Sequence, residues 1–309
     1  MGLLVTIDIS NQFSYSPYDL GNAVILKGGK EASHTNASIF ETIQLALKSA
    51  PSHLSIPINS VQLVSTREEI SSLLKEDAYI DLVIPRGSKE LVRHIQSSTR
   101  IPVLGHADGI CSVYIDEHAD IEMASKVVLD AKTDYPAACN AAETLLIHKK
   151  ILQTSLPSIA RTLLNAGVLL HADPISYDVL SSNAQTAEFV VKGKVVPSKP
   201  QDYSSEFLGL EMAIRTVESL GEAINHINHH GSKHTEAIIT KDQKTAEEFM
   251  SKVDAAGVFW NASTRFADGF RFGFGAEIGV SRGAAKKRLF HVFISIIIFS
   301  FIYLFLIFF

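Results

Sequence analysis

The chain has 309 residues, 46% apolar and 20% charged, with 28 Lys and Arg against 33 Asp and Glu for a formal charge of −5. That length and apolar share can bury one large core or two ordinary ones, and the acidic balance excludes a protein that coats nucleic acid. The two cysteines, Cys111 and Cys139, form no CxxC pattern, which excludes a disulfide scaffold and a cysteine-built zinc site and fits a reducing compartment.

Residues 1–10 carry neither a basic flank nor a long apolar run, so no secretory leader is expected. From Ala23 the aliphatic runs AVILK, VQLVS, IDLVI and PVL are separated by helix-compatible stretches over 31–49, 67–75 and 87–97. This alternation predicts βαβ units on a parallel sheet. Two of its turns could bind a ligand. In GNAVILKGGKE a strand ends at Lys27, Gly28 and Gly29 turn the chain, and a helix begins. Glycines admit close backbone approach and a helix start favours phosphate. IPRGSKE repeats that geometry with Arg86, Gly87 and Ser88. Neither is a complete GxGxxG, so taken alone each is more readily explained as an ordinary βα turn.

The rhythm resumes after Cys111. CSVYI, a helix over 120–130, a strand over 145–147, a helix over 151–165, then VLLH, AIIT and GVFW predict a second α/β layer. VPSKPQDYSS, residues 196–205, has two prolines and no apolar period and reads as a surface excursion. His106 and Asp108 in GHADG are acid and base candidates. In DYPAACNAAE the small neighbours leave Cys139 approachable. It is either a nucleophile or a buried small hydrophobe, while Cys111, inside CSVYI, reads as core. His226, His229, His230 and His234 read as solvated surface rather than a metal set. The polar loop with Asn261 and Arg265 suits a carboxylate or phosphate, or is an ordinary capped turn.

Taken in order, GNAVILKGGKEA, LVIPRGSKELV, IPVLGHADGICSVYID, DAKTDYPAACNAAETLLIH and VFWNASTRFADGFRFGFGAEIGVS resemble γ-glutamyl phosphate reductase, or glutamate-5-semialdehyde dehydrogenase, of the aldehyde dehydrogenase superfamily. They also resemble the reductase half of pyrroline-5-carboxylate synthase. The resemblance covers residues 21–281. It implies an α/β, aldehyde dehydrogenase-like fold with a parallel-sheet cofactor domain, truncated at its N-terminus, and an α/β catalytic domain. It also implies reduction of L-glutamyl 5-phosphate to L-glutamate 5-semialdehyde with NADPH and release of phosphate, through a cysteine thioester, in proline biosynthesis.

Carried over by position, Cys139 matches the catalytic cysteine. Lys27 matches the lysine at the adenosine ribose or its 2′-phosphate, with Gly28 beside it and Arg86 near enough in sequence pattern to share that phosphate. Gly87 and Ser88 match the turn under the pyrophosphate, and Glu206, in SEFLGL, resembles the glutamate that holds the nicotinamide ribose. His106, Asp108, Asn261 and Arg265 are assigned to substrate by their positions, and no metal is expected. Hydrolytic members carry a glutamate base just before the glycine that here is Gly105. Val103 and Leu104 stand there instead, so a thioester should survive until hydride reaches it.

The expected organisation is a non-family leader over 1–20, a partial NADP-binding domain over 21–105, a catalytic domain over 106–281, and a basic flank with an apolar tail over 282–309. Lacking the family's longer N-terminal segment, the first sheet is expected to expose an unpaired edge. In residues 289–309 only His291, Ser295 and Ser300 are not apolar, and Lys286, Lys287 and Arg288 precede them. That tail reads either as a membrane anchor, with its basic flank cytosolic, or as sequence read through in error. The chain as a whole is read as a working cytoplasmic reductase, homo-oligomeric in the intact family. The alternative is an inactive fragment kept as an interaction partner or membrane-tethered relic.

Overall fold

Aliphatic runs that alternate with capped amphipathic stretches fold into strands and helices at the places the pattern predicts. The structure, a computed structural model, describes residues 2–8, 22–51, 56–105 and 108–273, and it divides into two units that part between residues 107 and 108.

The first unit contains β1 (Gly2–Asp8), β2 (Asn22–Lys27), α1 (Ser33–Ser49), β3 (Val61–Val64), α2 (Arg67–Leu73), β4 (Leu82–Arg86) and α3 (Lys89–Ser98). The Thr66–Glu69 capping box starts α2 and the Ser88 hydroxyl starts α3. Ile25, Ile80, Val83, Ile95 and Ile101 form its core. The strand order is β3-β2-β1-β4, with β2 and β3 parallel. Residues 2–8, within the segment read as a leader, supply β1, which runs antiparallel between β2 and β4 and leaves β3 and β4 as the outermost strands. Its run GLLVTID is rich in strand-forming residues, and the backbone groups of β2 and β4 need partners. PVL forms only a single bridge, Val103 to Val83.

The second unit contains β5 (Cys111–Ile115), α4 (Ile121–Thr133), β6 (Ala142–His148), α5 (Leu152–Asn165), β7 (Leu169–Ala172), α6 (Pro174–Ser182), α7 (Ala187–Val191), β8 (Val195–Pro197), β9 (Glu211–Val217), α8 (Leu220–His230), β10 (Thr235–Ile239), α9 (Gln243–Lys252) and β11 (Gly257–Trp260). Its strands pair in parallel in the order β11-β10-β5-β6-β9-β7-β8. β5, β6 and β10 are buried along their whole length, as central parallel strands covered on both faces must be. One face packs Val113, Leu145 and Ile214 against α4 and α5. The other packs Tyr114, Leu146 and Ile238 against α8 and α9.

Residues 196–205 run over the surface, with Pro197, Lys199, Pro200, Gln201 and Ser204 exposed, and they include part of the edge strand β8 and a short 3₁₀ turn in which Asp202 and Tyr203 are buried. Polar residues bury there because they are paired, with Asp202 Oδ2 accepting from Lys199 N–H and meeting His171 Nδ1. Of the histidines read as surface, His226 and His234 are buried. Among the described residues no helix is long and apolar enough to cross a membrane, and residues 289–309 lie outside them.

Candidate active site

Cys139 lies on the turn between α4 and β6. The helix ends as Asp134 N–H donates to the Asp130 carbonyl, and two tight turns follow, Ala138 N–H to Tyr135 O and Ala141 N–H to Ala138 O. Tyr135 takes φ 65 immediately before Pro136, a strained pairing that fixes the direction in which the chain leaves the helix. The Cys139 thiol is half-buried.

Three contacts hold this turn from outside. Gly109 packs on its main chain so closely that a Cβ there would lie 2.1 Å from the Cys139 carbonyl oxygen and 2.6 Å from its Cα. The Cys111 thiol donates to that same carbonyl at 3.4 Å. Burial, reinforced by Glu236, pushes the Cys111 thiol far up, so it stays a protonated donor and is no competing nucleophile. Third, the loop after β11 ties down both flanks of the cysteine. Asn140 Nδ2 donates to Ala267 O at 2.8 Å, Arg265 Nη1 donates to Asn140 Oδ1, and Arg265 Nε lies 3.5 Å from Asp134 Oδ2.

Arg265 is therefore brought to the Cys139 turn. Asn261 has φ 54, its amide oxygen accepts from Thr240 N–H at 3.0 Å and its amide nitrogen donates to Thr240 O at 3.0 Å. That side chain anchors the end of β10 against the loop after β11. Asp108 is half-buried and directly precedes Gly109. His106 lies outside the described residues. Glu206 is half-buried in the segment before β9, within the same unit as Cys139.

In the first unit β1 is antiparallel to both β2 and β4, so those two strands run the same way and end at the same edge. The register sets Lys27 opposite Leu3 and Arg86 opposite Gly2. The two turns singled out in the sequence are therefore neighbours, about 10 Å apart across two strand spacings. Lys27 Nζ donates to Gly28 O at 2.9 Å. Asn36 Nδ2 donates to Gly29 O at 3.1 Å, and a Cβ on Gly28 would fall 1.9 Å from that amide nitrogen. Gly87 has φ 155, and Ser88 Oγ accepts from Leu91 N–H at 3.4 Å as the cap of α3. Side-chain-free turns and helix starts at the carboxyl ends of parallel strands are where a nucleotide phosphate binds in α/β sheets.

Sequence reasoning missed Gly109, Asn140, and the buried pair Lys132 and Glu143 that flanks the turn. A glycine two residues before a strand and Glu143 at the head of the apolar run TLLI were the available signals.

Residues 18–174 match the aldehyde dehydrogenase family. The chain is 56% identical over 87% of its length to the probable gamma-glutamyl phosphate reductase of Schizosaccharomyces pombe, spanning 57% of that protein. It is 49% identical to the gamma-glutamyl phosphate reductase of Saccharomyces cerevisiae, again over 87% of its length and 59% of that protein. The crystal structure of gamma-glutamyl phosphate reductase from Thermotoga maritima superposes with a TM-score of 0.75 at 37% identity, covering 84% of this chain and 60% of that one. The chain thus spans somewhat more than half the length of the relatives it matches, and it belongs to the aldehyde dehydrogenase family.

Proposed function

We propose that this chain carries the chemistry of a γ-glutamyl phosphate reductase: NADPH-dependent conversion of L-glutamyl 5-phosphate to L-glutamate 5-semialdehyde and phosphate. The observation that carries the reading is the Cys139 turn, half-buried and held by Gly109, Asn140 and Arg265. The names of the relatives support the same reading.

The Cys139 thiolate attacks the γ-acyl carbon, the carbon–oxygen bond to phosphate breaks, and the acyl group remains as a thioester on sulfur. Arg265, 14% exposed beside the turn, offers a fixed positive charge to the departing phosphate or to a substrate carboxylate. His106 and Asp108 lead into Gly109 and are assigned to substrate. Val103 and Leu104 offer no base to activate water, so the thioester is not hydrolysed. Collapse of the reduced adduct releases the aldehyde and returns the thiolate.

Aldehyde dehydrogenases use nicotinamide cofactors. Here NADPH, when bound, supplies the hydride. Lys27, Gly28, Arg86, Gly87 and Ser88 would hold its adenosine phosphates, and Glu206 its nicotinamide ribose. The glycine turns and helix starts fit such a group, because β2 and β4 end at the same sheet edge, each followed by a glycine turn and a helix start.

The reverse reaction tests this. Glutamate 5-semialdehyde, supplied as its cyclic form, with phosphate and NADP⁺ should produce NADPH absorbance that depends on phosphate. Absorbance that ignores phosphate would replace the acyl phosphate reading with a hydrolytic one.

A further inference from the structure

Two charged side chains are fully buried beside the turn. Lys132, the penultimate residue of α4, and Glu143, the second residue of β6, are both 0% exposed, with Lys132 Nζ 2.6 Å from Glu143 Oε2. Cys139 lies in the ten residues between them, so the pair closes the base of the loop that presents the nucleophile. Burying two charges in this way is an inefficient source of stability, since hydrophobic residues of similar volume do as well or better. What the pair supplies is fixed geometry at one place.

It also reaches a second segment. Burial pushes the Glu143 carboxyl up to about 7, against the opposing pull of Lys132 and then of the Leu208 and Phe207 N–H groups, which face it. Glu143 Oε1 nevertheless makes no hydrogen bond of standard geometry, so Lys132 is its firm partner. Leu208 adopts φ 57, an unusual conformation for a branched side chain, and a left-handed residue beside two successive N–H donors turns them towards one anion. The Phe207 ring sits 6.0 Å from Lys132 Nζ and 5.0 Å from the ring of His171, which bridges Asp202 at 3.0 Å and Glu211 at 3.2 Å. Glu206 immediately precedes this anchored dipeptide.

We propose that the buried Lys132–Glu143 pair is a positioning clamp that holds the Cys139 turn and the Glu206–Leu208 segment in register. Neither residue touches reacting atoms; both act through the groups they hold. The part concerning Glu206 rests on its proposed role at the nicotinamide ribose.

The full chain is compared with Glu143→Gln, Lys132→Met and the double variant Lys132→Met/Glu143→Leu. The double variant removes both charges while keeping the volume, so it folds where a single variant leaves one charge unpaired. Three readouts are taken well below each melting temperature: alkylation of Cys139 by iodoacetamide, chymotryptic cleavage after Phe207, and the Kd for NADPH. In the folded double variant the alkylation rate should change at least tenfold, cleavage should quicken at least tenfold, and the Kd should rise at least tenfold. Alkylation and cleavage within twofold of the unaltered chain would overturn the clamp and leave the pair as packing alone. If the unaltered chain binds no NADPH, the reading of Glu206 fails separately, and the other two readouts still decide the clamp.

Discussion

The α-carbon of Gly109 lies against the main chain of Cys139, leaving no room for a methyl group: a Cβ would stand 2.1 Å from the carbonyl oxygen. Backbone on backbone cannot yield as a flexible side chain can. Gly109→Ala should therefore move the turn or strain the start of β5, at a cost of about 1–3 kcal/mol. Urea unfolding and the rate of Cys139 alkylation check this. Unchanged stability together with unchanged alkylation would mean that the contact is not tight.

Arg265 should behave as a support of the same turn. Its loss in Arg265→Ala leaves Asn140 Oδ1, in a buried residue, without its guanidinium donor and leaves Asp134 to Arg271, 3.8 Å away. The expected cost is about 1–3 kcal/mol, with a fall in turnover. Arg265→Lys should recover less than half of either, because one ammonium cannot serve two partners in a fixed fork. Full recovery by lysine would reduce the role of Arg265 to charge alone.

At the edge shared by β2 and β4, Lys27→Ala should raise the Kd for NADPH several-fold more than that for NADH, since only the former offers a 2′-phosphate. Titration by cofactor fluorescence measures both. Equal effects on the two cofactors would remove Lys27 from the 2′-phosphate.

Stability should fall on acidification through a histidine. Burial, then His230, Arg215 and His229, depress His226 to about 3, and its Nε2 has no hydrogen-bond partner among the described residues. Tyr203 meets its ring edge-on at 5.3 Å. The unfolded chain gains a proton at His226 near pH 6.5. The folded chain does not until about 3, so the stabilising difference is present above 6.5 and is lost as pH falls from 6.5 towards 3. The slope reaches about 1.4 kcal/mol per pH unit. His226→Gln should be less acid-sensitive than the unaltered chain over that window, by urea unfolding at successive pH values. Parallel profiles would mean that His226 is protonated when folded.

The βα rhythm was legible because central parallel strands must be apolar on both faces, as VYI in β5 and LLI in β6 are. Cys139, Gly28 and Gly87 were legible as small residues at strand boundaries. What escaped depends on contacts between distant residues. Asp202 and His171 are 31 positions apart and bury by pairing, and Lys132 and Glu143 bury for the same reason although each alone reads as solvated. The amide of Asn261 serves Thr240, 21 positions earlier, which no local pattern encodes. β1 was missed because strand propensity in GLLVTID does not name the strands it joins.

The central claim is that Cys139 carries the acyl group. It is tested most directly by mixing the chain with glutamate 5-semialdehyde and NADP⁺ without phosphate, then mapping the protein by mass spectrometry. With no phosphate to accept the acyl group, one equivalent of NADPH should form in a burst, a glutamyl thioester should appear on the peptide containing Cys139, and added phosphate should discharge it. Cys139→Ser should give neither burst nor adduct while still binding NADP⁺. A burst with the adduct on another residue, or one that persists in Cys139→Ser, would contradict the account.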